Sequence, residues 1–146
     1  MPKVRLNAES IGPRPIEELT SKNVPRDYAF AWRDLAIALS ENDAGVVNDY
    51  FTGFASDRLM QRIKDQRMAG LRVRYSDRGH EVKALFYSTD GREMQLLDRA
   101  TLDIQVFDGG NLIHQESVKQ NYLVLMTPGA DRWFVRALDP VSDSQI

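Results

Sequence analysis

Between Arg92 and Phe107 the chain alternates apolar and polar residues. Met94, Leu96, Ala100, Leu102, Ile104 and Val106 fall on one face, and Glu93, Gln95, Arg99, Thr101, Asp103 and Gln105 on the other. Period two over such a length predicts an antiparallel strand with one face in a core and one in water. Asp90-Gly91 before it and Asp108-Gly109-Gly110 after it are tight-turn sequences, because glycine accepts the positive φ of short hairpin turns. Leu71 to Ser76, His80 to Ser88, Asn111 to Met126 and Arg132 to Leu138 read as further strands. Asp77-Arg78-Gly79 is expected to turn the chain between the first two, and Thr127 to Asp131 to reverse it before the last.

Upstream of the strands the period is helical. Tyr28, Trp32, Leu35, Ala36 and Leu39 recur on one helix face, with Asn23 or Asp27 as caps. Asp43 can cap a second, shorter helix carrying Val46, Val47, Tyr50 and Phe51, which Gly53 ends. A third runs from about Ser56 to Ala69 and stops at Gly70. Helices placed before the strands, with no crossover lengths between strands, predict an α+β domain. Three helices pack on a curved antiparallel sheet of about five strands.

Four of the six prolines lie in residues 1–23 and at Pro25 just beyond. That leader is expected to be extended or partly disordered, tacked down by Ile11, Ile16 and Leu19. Residues 24–140 then form one domain and 141–146 a tail, a division in keeping with 146 residues and 42% apolar side chains.

Charge and composition narrow the chemistry. A net charge of −2 offers no field to draw the chain onto nucleic acid, so no nucleic-acid partner is expected. The absence of cysteine excludes disulfides, thiolate metal sites and a cysteine nucleophile, and leaves the redox compartment open. No apolar run reaches the ~20 residues of a membrane span. The chain is expected to be soluble, cytoplasmic by default, and extracytoplasmic if an anchor once preceded it.

No nucleophile elbow, phosphate loop or dinucleotide fingerprint is present, and no cofactor or metal is expected. Asp98 is the one residue that violates the alternation, falling on the face of Leu96 and Ala100, where an ionised carboxylate is costly to bury. Either a bulge near Leu97 turns it to solvent or towards an arginine, or it faces the interior as a candidate base. His114 and Glu116 share a strand face, as a possible acid–base or metal pair short of a third ligand, and otherwise as a solvated face. Basic residues from Arg58 to Lys83, interrupted by acids, read as an ion-paired helix back or as a docking face.

The element order, the Gly70-Leu71 to Tyr75 transition, Tyr122-Leu123-Val124-Leu125 and the closing Arg132-Trp133-Phe134-Val135 resemble the cystatin-like cone of the nuclear transport factor 2 superfamily over Val24 to Leu138. The pattern is closest to its non-enzymatic members, of the Tim44-like and plastid-division intermembrane-space type. The resemblance implies a cone whose ligand pocket would be lined by Tyr28, Trp32, Tyr50, Phe51, Phe54, Met94 and Asp98. The implied function is a binding or assembly module for a protein partner or a small apolar ligand. Its alternative is a cofactor-free isomerase, cyclase or dehydratase using Asp98 with Tyr28, Tyr50 or His114. Apolar residues on both faces of the last strands place Leu123, Leu125, Phe134 and Leu138 at an interface, with a second copy or a partner as its cover.

Overall fold

A strand as long as the alternating segment needs partners of matching length, and the fold supplies them. The computed structural model describes residues 1–9 and 11–143. The order is β1 (Val4–Asn7), α1 (Glu18–Glu41), a 3₁₀ turn (Ala44–Val46) running into the one-turn α2 (Val47–Tyr50), α3 (Gly53–Ala69), β2 (Leu71–Tyr87), β3 (Met94–Asp108), β4 (Asn111–Pro128) and β5 (Trp133–Val141). The sheet order is β1-β2-β3-β4-β5, with three antiparallel pairings and a parallel one between β1 and β2.

Three sequence expectations change here. Leu71 to Ser76 and His80 to Ser88 do not form a hairpin, since both pair with β3 as one continuous β2. Asp77-Arg78-Gly79 is a bulge inside that strand, where Gly79 takes a φ of 128° and the Asp77 carboxylate accepts the Gly79 amide at 2.9 Å. The fifth strand comes from the leader instead, as β1 laid parallel along β2 with Val4 opposite His80. The sheet is therefore mixed. Of the leader expected to be extended or partly disordered up to Asn23, the last six residues are helical, because α1 begins at Glu18 and runs through Pro25. Proline there removes one helical donor, a tolerable loss because the residue whose carbonyl it would have met, Ser21, is partly exposed to water. Ile11 and Ile16 do pack against the core, whereas Leu19 is exposed. Val141 closes β5, and residues 144–146 of the expected tail lie outside the described residues.

The core lies between α1 and the concave face of the sheet. From α1 come Val24, Tyr28, Ala31, Trp32, Leu35, Ala38 and Leu39, spaced three and four apart. From the sheet come Val82, Ala84, Met94, Leu96, Ala100, Leu102, Val124, Met126 and Val135. α1 ends at Asn42 in the left-handed conformation, and α3 helps to hold that end: Gln66 donates to the Leu39 carbonyl at 2.9 Å, and Arg67 to the Asn42 carbonyl. α3 stops at Gly70, which takes a φ of 71°. No helix among the described residues is long and apolar enough to cross a membrane.

Candidate functional site

α1 places Tyr28 and Trp32 one turn apart on its buried face, so both look at the sheet. β3 places Asp98 on the same concave face, between Leu96 and Ala100. No bulge forms at Leu97, and the carboxylate is 0% exposed. The third member comes from the bulge in β2. Before it the odd positions Val73, Tyr75 and Asp77 face inward; one extra residue shifts the phase, and His80 and Val82 face inward after it.

The result is a buried polar cluster. Tyr28 donates its hydroxyl to Asp98 Oδ2 at 2.5 Å, and His80 Nδ1 meets the same oxygen at 2.7 Å. His80 Nε2 reaches Asp77 Oδ2 at 2.6 Å, so the imidazole, 2% exposed, is held between two carboxylates. Burial alone would depress the His80 pKa, but the hydrogen bonds to Asp77 and Asp98 outweigh it and raise it to about 9. Burial raises Asp98 above the ordinary carboxylate range, against the opposing pull of His80 and Tyr28. Tyr28 is pushed well up, first by burial and then by the charge of Asp98. Asp98 Oδ1 and Trp32 Nε1 are buried and make no hydrogen bond with any described residue.

Beside this cluster lies a cavity of about 230 Å³, lined by α1, α3 and the sheet. Its wall is Trp32, Leu35, Phe51, Ala55, Leu59, Tyr75, Tyr122, Leu138 and Pro140, with Arg58 and Arg62 contributing the charge. His80 and Asp98 are not part of that wall. Trp32 belongs to both regions: it lines the cavity, and its ring centre lies 4.7 Å from that of His80. Tyr122 packs edge-on against the same indole at 5.3 Å.

Of the residues expected around the pocket, Trp32 and Phe51 line the cavity, while Tyr28, Met94 and Asp98 are buried away from it. Tyr50 lies elsewhere, stacked on Phe30 at 5.3 Å with Arg132 over its ring. Phe54 is 71% exposed, because it sits in the first turn of α3 and points off the core-facing stripe. His114 is exposed near the hairpin tip, 3.5 Å from Glu116, too far from the cone for any role with Asp98. The histidine that does meet Asp98 is His80, and the cavity also gains Tyr75 and Tyr122. The signal for His80 was the phase switch across Gly79, legible only if that tripeptide is read as a bulge. Among the expected interface residues, Leu123 is 39% exposed on the convex face, and Leu125 and Phe134 share that face half-buried. Leu138 does not, since a bulge in β5 pairs it with Val124 and turns it into the cavity. No three His, Asp or Glu side chains among the described residues are grouped to hold a metal.

No protein-family model matches the chain, and no curated protein does. Solved structures do. The intermembrane space region of the chloroplast protein ARC6 superposes with a TM-score of 0.74 at 12% identity, over 90% of this chain and 100% of that one. The Kfla4162 protein of Kribbella flavida gives 0.56 at 10% identity, over 84% and 91% of the two chains. ActVI-ORFA of Streptomyces coelicolor gives 0.53 at 11% identity, over 84% and 96%. The chain thus shares the α+β fold of these structures, three helices packed on a five-stranded mixed sheet, and a fold does not carry one function.

Proposed function

We propose that this chain is a non-catalytic binding module whose cavity receives an apolar ligand or the apolar group of a partner. The observation that supports this best is the separation of the cavity from the buried acid–base cluster. A guest meets Trp32, Leu59, Tyr75 and Tyr122, none of which is a plausible base, while the groups that could move a proton lie behind the indole. The volume suits such a guest: an apolar cavity of ~150 Å³ already accepts a benzene ring. An apolar fluorophore is expected to bind with saturable, one-site behaviour. Ala55→Leu, which projects a larger side chain from the cavity wall, is expected to weaken it about tenfold or more. Equal binding to the variant would place the guest elsewhere and reject this reading.

One observation favours the rival, an isomerase- or cyclase-like enzyme. Asp98 Oδ1 is buried, unpaired and carried by a carboxylate of raised pKa, as a base would be. Asp98 is 0% exposed and lies off the cavity wall, so a substrate would have to displace buried side chains to reach it. We expect no turnover of an enolisable ketone; turnover that Asp98→Asn abolishes would establish the enzyme instead.

The convex face of the sheet carries Leu97, Leu123, Leu125 and Phe134 at neighbouring cross-strand positions. We assign it to self-association of the module, on the ground that monomers seldom leave such a strip in water. Sedimentation equilibrium is expected to show a dimer that Leu123→Glu converts to a monomer. A monomer at high micromolar concentration contradicts the assignment.

A further inference from the structure

The cavity has an apolar wall and two guanidinium groups, and only one of the two is engaged by a carboxylate. Arg58 and Arg62 lie one turn apart on α3, an arrangement that like charges do not favour by themselves. Arg58 is paired with Asp139 at 2.6 Å, which neutralises the acid of β5 at the same time. Arg62 forms no ion pair or hydrogen bond with any described residue. Its guanidinium lies 5.6 Å from the centre of the Tyr75 ring, a cation–π contact that orients the group and leaves its N–H edge free. The Tyr122 hydroxyl, also on the cavity wall, makes no hydrogen bond with a described residue. Burial raises its pKa, and the positive charge of Arg62 acts against that rise, which puts the two groups within electrostatic reach of each other.

From these observations, and resting on the cavity reading above, we infer that Arg62 selects guests whose apolar body ends in a single carboxylate. The planar fork of arginine matches a carboxylate with two parallel hydrogen bonds, and the Tyr122 hydroxyl stands close by as a further donor. With Arg58 committed to Asp139, one unpaired positive charge remains for one negative charge on the guest. The apolar body then fills the space between Trp32, Leu35, Leu59 and Leu138, where burial rather than charge supplies the affinity. The selection belongs to Arg62 rather than to the protein's overall charge, which is slightly negative and would repel an acid.

Three guests with the same eight-carbon chain test this by isothermal titration against the full chain: octanoate, octanol and octyl phosphate. Octanoate is expected to bind at least about tenfold more tightly than octanol, a difference of about 1.4 kcal/mol. The gap is expected to narrow at high salt, as screening weakens a contact at the cavity mouth. Arg62→Gln is expected to bring octanoate and octanol within about twofold of each other, with octanoate losing most of the affinity. The inference is overturned if octanoate and octanol bind the wild-type chain equally, or if Arg62→Gln preserves the preference. Octyl phosphate binding more tightly than octanoate, with that advantage lost in Arg62→Gln, overturns the carboxylate class in favour of a phosphate. Failure of both octanoate and octanol to bind is a different result, since it removes the apolar cavity reading itself and the inference with it.

Discussion

Asp98→Ala is expected to lower the unfolding free energy by about 3–5 kcal/mol, the usual loss when one partner of a buried ion pair is removed. The carboxylate takes the Tyr28 hydroxyl and His80 Nδ1 on one oxygen, so its loss leaves two buried donors without an acceptor, beside a new void. Asp98→Asn keeps an acceptor of the same shape but not the charge, and is expected to cost less. Urea denaturation of both variants measures this. A cost below about 1 kcal/mol for the alanine would mean that water enters and takes over both bonds. The same cluster sets an alkaline limit. The His80 pKa is raised on folding from 6.5 to about 9, so the charged imidazole contributes stability fully below pH 6.5 and loses it as pH rises through 9. The urea midpoint of the wild-type chain should therefore fall between pH 7 and pH 9.5, and the fall should flatten in His80→Gln. Imidazole resonances showing His80 neutral at pH 7.5 would contradict the clamp between Asp77 and Asp98.

Removing residues 1–23 is expected to cost on the order of 5 kcal/mol. Beyond the β1–β2 ladder and the exposed Arg5–Glu81 contact, five hydrogen bonds link that segment to β2 and the turn after it, at about 1 kcal/mol each net. They are His80 N to the Lys3 carbonyl, Tyr87 N to the Gly12 carbonyl, Arg14 N to the Tyr87 carbonyl, Tyr87 hydroxyl to Glu17, and the Arg14 guanidinium to the Thr89 carbonyl. The first turn of α1 and the burial of Leu6, Ile11 and Ile16 go with them. Truncation also bares the edge of β2 at Val4's partner, His80, where water could reach the charged cluster. Calorimetry, together with amide exchange at His80 and Tyr87, tests this. A truncated chain within about 1 kcal/mol of the full one would reduce the leader to an ornament.

What the sequence made legible was whatever its local period encodes. The alternation of β3 and the stripe from Tyr28 to Leu39 each name an element and its buried face, so the α+β order could be read directly. Three things escaped because a single residue or a distant one decides them. Arg78 and Arg136 sit where the register slips, and each slip reverses the facing of everything after it, which brings His80 in and Leu138 with it. A helix boundary was misplaced because Pro25 was read with the proline-rich leader and serves as an interior residue of α1. β1 has only four residues, and its partner lies far along the chain, beyond the reach of any local pattern. Asp98 was visible as an anomaly and Tyr28 was grouped with it, as the structure has it, but the other partner was sought among arginines, at Tyr50 and at His114, whereas the neighbouring strand supplied His80.

The parallel pairing of β1 has a consequence for the order in which the molecule is assembled. Arg5 and Glu81 meet across 76 residues, while β2 to β5 follow one another through short turns. Closing so long a loop is entropically costly, so the meander and α1 should form first and the opening strand should dock last. On a ribosome, residues 4–7 leave the exit tunnel before any strand they can pair with has been made, and they wait as an unpaired, partly apolar segment until β2 follows. Until then, the open edge of β2 on one molecule can accept the opening strand of another, so exchange of β1 between copies is the misassembly this topology invites.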